Sequence, residues 1–398
     1  MSEELLALIP RLHVKEVGVY LLFLSVLIAF PISICPAETP DDPMGVLTPQ
    51  EWEEVEAAVD RALVWIATQQ EPGGRFPTLD IGQPAVTSLC VLAYLARGHL
   101  PGKGPYGEAI NAGIDFTLSC RKEDGLITYV APPAVMRLHC PAHTAMYNHA
   151  ISGIMLSEVY GMTDKEQAPR IRAAVEKAID FTRARQLAPK GSPEDRGGWR
   201  YVRPWPQRDS DLSVTGWQMM FLRSAKNAGF YVPSEYVDQG LEFVERCFVR
   251  EKNIFVYSLS WDGRHPTRGM VGSGALSLSL AGKHETPMAR TAAEWILQHG
   301  FDQYNRLPID PRTGTEEHSR DRYHYGAFYC TQAMFQLGGD YWKRFFPRLA
   351  HTLLANQGSD GSWQAEAGED NRYGNVYTTA LVVLVLTTPY QLLPIFQR

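Results

Sequence analysis

The residues with the clearest chemical potential are Asp209 and Asp211, two apart in Asp209-Ser210-Asp211-Leu212-Ser213. A carboxyl held protonated by its surroundings is a general acid, and a pair of carboxyls can process a glycosidic bond. An aspartate just ahead of an apolar helical run also serves as its N-cap. Both the acid and the cap reading apply to Asp211, whose helix is predicted to begin at Leu212. A second group is His139, Cys140, His143 and His149, in which His139 and His143 would share one face of a helix and so could ligate a metal. Pro141 argues against a regular helix through them, and the spacing fits no zinc pattern, so neither a metal nor an organic cofactor is expected. A third set is aromatic and weakly basic: Tyr147, His149, Trp217, His324, Tyr325, Tyr329 and Tyr377, with Tyr323 and Tyr373 beside them. Ring faces suit an apolar or cationic guest. The stretch 316–325 is dense in ionisable groups and reads first as a solvated loop.

These residues must be positioned by a repeated element. A short amphipathic helix of the form Ala/Gly, apolar, any, aromatic returns as Ala62-Leu63-Val64-Trp65, Gly113-Ile114-Asp115-Phe116, Ala178-Ile179-Asp180-Phe181 and Gly240-Leu241-Glu242-Phe243. Looser copies end at Trp295 and Thr352. The aromatic-equivalent positions 65, 116, 181, 243, 295 and 352 are 51, 65, 62, 52 and 57 residues apart, enough for two helices and their loops. A glycine-bearing turn follows each first helix: Gln70 to Phe76 superposes on Gln357 to Trp363, and 121–125 keeps the spacing. The third copy stretches over 187–196 before Gly197-Gly198-Trp199. The second helix of each unit, near 85–96, 147–160, 213–225, 272–281, 325–337 and 376–386, is apolar nearly all round and therefore buried on both sides. Half-exposed and fully buried helices alternating six times predict an all-α (α/α)6 toroid, an inner ring inside an outer one. The last inner helix is as apolar as the middle ones, so the array is expected to close rather than end in a polar cap. The candidate residues then gather near the starts of the inner helices, around the axis.

The turn Gln357-x-x-x-Gly361-Ser362-Trp363 resembles the glutamine-tryptophan motif of squalene-hopene cyclases, and the six helix pairs match their toroidal domain. Strings such as Met146-Tyr147-Asn148-His149-Ala150, Gly197-Gly198-Trp199-Arg200-Tyr201 and Ser213-Val214-Thr215-Gly216-Trp217-Gln218 resemble a bacterial group of single-toroid prenyltransferase/squalene-oxidase-repeat proteins, mostly exported, over about residues 50–398. Asp209-Ser210-Asp211-Leu212-Ser213 is similar to the Asp-x-Asp-Asp-Thr acid motif of class II terpene cyclases, which implies Asp211 as proton donor. Leu212 replaces the neighbouring acid and Ser213 the threonine. The Asp-x-Cys pair of protein prenyltransferases and the Cys-Gly-Glu-Gln segment of thioester domains are both absent from the sequence.

With 398 residues, 45% apolar and 21% charged, the chain can bury a large core, and a net charge of −6 without long charged runs leaves no footprint for nucleic acid. Residues 17–34 form an uncharged apolar run, read as part of a signal peptide or membrane anchor over 1–40, with cleavage after Ala37 or membrane contact through 17–34. The expected organisation is that leader, a linker over 41–50 and one toroid over 51–398, exported or membrane-anchored. Cys90, Cys120, Cys140, Cys247 and Cys330 are expected as free thiols rather than disulfides. The reading adopted is an exported toroid binding a hydrophobic small molecule or a protein partner. The alternatives are an isoprenoid enzyme using Asp211, and a glycan-processing enzyme using Asp209 and Asp211 as paired carboxylates.

Overall fold

The computed structural model describes residues 42–204, 208–260, 266–306 and 321–398. The apolar run 17–34 and positions 316–320 lie outside the described residues, among which no helix is long and apolar enough to cross a membrane. Among the described residues, twelve α-helices alternate outward and inward along the chain. The outer ones are α1 (Pro49–Gln69), α3 (Gly107–Ser119), α5 (Gln167–Leu187), α7 (Ser234–Arg246), α9 (Pro287–Gln298) and α11 (Gly339–Ala355). The inner ones are α2 (Ala85–Ala96), α4 (Pro141–Val159), α6 (Leu212–Asn227), α8 (Arg268–Leu280), α10 (Tyr323–Leu337) and α12 (Gly374–Leu386). A two-residue strand pair, Phe248–Val249 with Ile254–Phe255, follows α7. Sequence pattern explains the division: every residue of α2 is buried, whereas α7 buries only Gly240, Leu241, Phe243 and Val244. Each inner helix contacts the next, and α12 returns to α2, so the chain is a closed (α/α)6 toroid. Positions 43–44, expected in a linker, are already part of it, since their carbonyls accept from the Trp342 and Trp52 indoles.

The repeated turn is the clasp between neighbouring outer helices. Gln70, Gln186 and Gln357 each use both amide hydrogens, one on the glycine carbonyl of their own turn (Gly74, Gly197, Gly361) and one on a carbonyl of the next outer helix (Ala109, Tyr236, Ala58). The third of these joins the last repeat to the first. The turn glycines lie so close to that helix that a Cβ on Gly197 would overlap the Gln239 carbonyl, while Gly74, Gly125 and Gly361 approach Ala112, Lys177 and Arg61 in the same way. The residue after each turn then donates its backbone N–H inward: Phe76 to Thr87, Trp199 to Thr215 and Trp363 to Thr379, each at 3.0 Å.

Aromatic rings fill the ring's axis. Trp217 stacks on Phe328 with centroids 5.4 Å apart, and Phe328 meets Phe396 of the C-terminal segment at 6.0 Å. That segment seals the end where the inner helices finish, through bonds from Asn227 to Pro394 O and from Gln336 to Phe396 O. Glu158, buried there, accepts from Ser224 Oγ at 2.5 Å, and burial pushes its carboxyl up to about 7 against the pull of Ser224 and the Ile395 N–H. A carboxyl whose proton affinity is raised by folding stabilises the fold fully below its unfolded value near 4.5, and that contribution is lost as pH rises through 7. Glu158→Gln is therefore expected to stabilise the protein by roughly 2–3 kcal/mol at pH 8 and by little at pH 4, as measured by urea unfolding at both.

Candidate functional site

The opposite end, where the inner helices begin, carries the polar side chains. Three helices meet in a chain of hydroxyls: Tyr147 of α4 donates to Ser213 Oγ of α6 at 3.0 Å, and Ser213 Oγ lies 2.8 Å from Tyr325 OH of α10. Tyr325 and Tyr329 reach α6 because α8, between them, is small-residued on that side. A Cβ on Gly272 would come within 2.8 Å of the Cys330 nitrogen. Tyr147, Tyr257, Tyr325, Tyr373 and Tyr377 are all half-buried at this end, and Tyr325 meets Trp217 and Tyr329, which pack with Phe328 in the core. Trp217 Nε1, Tyr329 OH and Ser273 Oγ are buried there without a well-formed hydrogen bond among the described residues, with Tyr325 and one another as their polar neighbours. Of the residues singled out in the sequence, Tyr147, Trp217, Tyr325, Tyr329 and Tyr377 are thus brought together, with Tyr377 beside Tyr373 at 5.8 Å.

Asp211 stands in the wall of side chains beside this cluster, within electrostatic reach of Tyr147, Tyr257 and Tyr325. It is the N-cap of α6, its Oδ1 accepting from the Val214 N–H at 2.8 Å. Its Oδ2 accepts from Tyr257 OH at 3.2 Å and faces Arg200 Nη1 at 3.3 Å, in an ion pair whose side chains are 5% and 0% exposed. Burial pushes this carboxyl up from its ordinary range, and Arg200, the Val214 N–H and Tyr257 pull it back. Burial also works against the charge on Arg200, but Asp211 and the surrounding tyrosines outweigh it and keep the guanidinium charged. Arg200 and the Val214 N–H can only donate, which suits a carboxylate, while burial leaves the proton affinity of Asp211 raised overall. Arg200 lies over the Tyr201 ring at 4.4 Å and the Tyr257 ring at 5.4 Å, and Tyr201 OH meets Tyr257 OH at 2.9 Å.

Asp209 points elsewhere. Its Oδ2 accepts from the Gly191 N–H at 2.6 Å and its own N–H is held by Asp195, in the long loop after α5. Asp209 and Asp211 therefore address different surroundings and do not face one substrate as a carboxyl pair.

Two histidines expected in the lining are structural instead. His149 Nδ1 accepts from the Ile127 N–H at 3.2 Å and Nε2 bonds Thr182 at 2.9 Å, so it does in the second repeat what Thr87, Thr215 and Thr379 do in the others. Full burial pushes it down to about 3. A histidine kept neutral by folding stabilises above its unfolded pKa near 6.5, and that stability is lost as pH falls toward 3. In His149→Thr the fall in stability between pH 6 and 4 should be shallower by about one proton, or ~1.4 kcal/mol per pH unit, read from unfolding curves across that range. His324 faces Glu366, whose buried carboxylate accepts from the backbone of Tyr323 and His324 at 2.8 Å and so caps α10. Asp321 is likewise used internally, on Arg268 at 2.6 Å.

Helix α4 starts at Pro141, so His139, at φ 58°, precedes it, and His139 and His143 do not share a helical face. Among the described residues no three His, Cys, Asp or Glu side chains converge as a metal site, and the five cysteines are free thiols. Arg200, Tyr257 and Ser213 were not picked out from sequence as site residues. Arg200 sits directly after a buried Trp in a glycine turn, a position where a charged residue signals an internal partner. Tyr257 carried no such signal, because only the path of the chain after the short strand pair brings it to Asp211.

No family model and no curated protein matches the chain. Solved structures do. The type II terpene cyclase MstE from Scytonema, in complex with geranylgeranyl dihydroxybenzoate, matches with a TM-score of 0.53 at 15% identity over 87% of this chain and 100% of that one. A GH76 alpha-mannanase of Bacteroides thetaiotaomicron matches with a TM-score of 0.54 at 11% identity over 88% and 99%. A sugar epimerase from a ruminal bacterium matches with 0.55 at 10% identity over 85% and 98%. At these identities the likeness is one of fold, an α/α toroid shared by isoprenoid and sugar chemistry.

Proposed function

We propose that this toroid binds a small, largely apolar molecule carrying a hydroxyl or carbonyl group, at the tyrosine cluster at the start of the inner helices, and that it works outside the cytoplasm. One observation carries the first part: the hydroxyls of Tyr147, Ser213 and Tyr325 form a chain beside Trp217 and Tyr329, whose indole N–H and phenol make no well-formed hydrogen bond among the described residues and have only Tyr325 and Ser273 as polar neighbours. Aromatic faces take up the apolar body, and the hydroxyls orient the polar end. The apolar run 17–34 supports the extracytoplasmic placement.

The fold likeness to a terpene cyclase supports an isoprenoid as guest, whereas the Arg200 ion pair and the Val214 cap bond engage both oxygens of Asp211 and weigh against protonation of an alkene by that residue. The test is incubation of the purified protein with farnesol, an apolar chain with one hydroxyl, followed by recovery and analysis of the alcohol. The expected result is saturable uptake with farnesol returned unchanged. Conversion to a cyclic product would overturn the binding reading in favour of the enzyme.

A further inference from the structure

Beside Arg200 and Tyr201 lies a recess lined by Arg185, Lys190, Arg200, Arg203 and Asp209, with about 30 Å³ of enclosed space and a mouth open to solvent, so that an anion held there would project outward. We propose that it binds a phosphate group, either as the free ion or as the end of a phosphate ester. The lining sets four cationic side chains against one carboxylate, and the nearest further acids are already engaged, Asp211 with Arg200 and Asp195 with the Asp209 N–H.

Two of the cations have unused donors. Arg185 makes no hydrogen bond or ion pair with any described residue, and its Nε is buried. Arg200, whose side chain is 5% exposed, has Nε and Nη1 without a hydrogen-bond acceptor beyond the 3.3 Å approach to Asp211. Guanidinium groups match the oxygens of a tetrahedral anion with paired N–H donors, and burying them without acceptors is costly. Lys190 is held in place by the carbonyls of Gly198 and Asp209 at 3.1 and 3.2 Å, and Arg203 by Pro133 O at 3.1 Å. The like charges press on one another. Burial and then Arg185 push Lys190 down to about 8, and burial and then Arg203 lower the proton affinity of Arg185. A bound anion would relieve that repulsion and supply the missing acceptors.

The proposal is independent of the tyrosine cluster and is tested separately from it. Thermal unfolding of the full chain is followed at pH 7 against sodium phosphate at constant ionic strength, with chloride as the balance. The expected result is a saturable rise in melting temperature, with the apparent affinity for phosphate at least about tenfold weaker in Arg185→Gln. Because Arg185 has no hydrogen-bond or ion-pair partner among the described residues, Arg185→Gln should be no less stable than wild type without phosphate, whereas a merely structural arginine would give a loss. Ethyl phosphate as effective as phosphate would assign the site to an ester end, and phosphate alone would assign it to the free ion. No response beyond that of chloride, or an equal response in Arg185→Gln, overturns the proposal. Farnesol binding in Arg185→Gln should match wild type, so failure of one site is told apart from failure of the other.

Discussion

Asp211→Asn is expected to destabilise the protein by about 3–5 kcal/mol, because it leaves Arg200 charged and buried without its counter-ion. Asparagine is as good an N-cap as aspartate, so the Val214 N–H keeps an acceptor and the loss comes from the wall rather than from the helix start. In Arg200→Met combined with Asp211→Asn, much of that loss should return, since removing both charges of a buried pair costs far less than removing one. Denaturant unfolding of the two single variants and the double gives the coupling directly. The sign also separates the two roles of Asp211. A carboxyl kept for chemistry at the expense of stability is usually replaced at no cost or with a gain, whereas a structural ion pair gives a large loss.

Gly197→Ala should be the most damaging small substitution in the toroid. Gly197 has φ 82° and faces the Gln239 carbonyl so closely that a methyl would overlap it. Left-handed backbone costs an alanine about 1–2 kcal/mol, and displacing a packed outer helix adds about 1–3 kcal/mol. Gly161 is the control, with φ 90° and nothing within 4 Å of its would-be Cβ, so Gly161→Ala should cost only the backbone share. The difference between the two urea midpoints measures the contact between neighbouring repeats that holds the ring closed.

The repeat was legible because two properties of the chain are local. Helical period separates the half-exposed helices from those buried all round, and α2 over Ala85–Ala96 coincides with the apolar run read from sequence. The Gln-Gly-aromatic turn was legible as a motif, although its work, a glutamine spanning two repeats, is visible only in three dimensions. α4 starts at Pro141, ahead of the apolar stretch near 147, because proline at the first helical position fits where no N–H donor is needed.

The site was legible in part. Tyr147, Trp217, Tyr325, Tyr329 and Tyr377 come together because closing the ring places the starts of the inner helices around one axis. His149 and His324 occupy the same helix starts, but their rings turn to Ile127 and Thr182 and to Glu366, and a single sequence says nothing about which way a ring turns. Asp209 and Asp211 are neighbours in sequence, yet the cap geometry at Asp211 and the loop contact at Asp209 send their carboxyls apart.

Calorimetric titration of farnesol into the wild type and Tyr325→Phe tests most directly whether the tyrosine cluster is a binding site. Tyr325 is half-buried, and losing its hydroxyl removes one hydrogen-bonding group worth about 0.5–1.5 kcal/mol while leaving the ring in place. The predicted result is saturable binding to the wild type, weakened about 2- to 12-fold in the variant with folding unchanged. Absence of saturable heat in the wild type, or identical affinities in the two proteins, would contradict it.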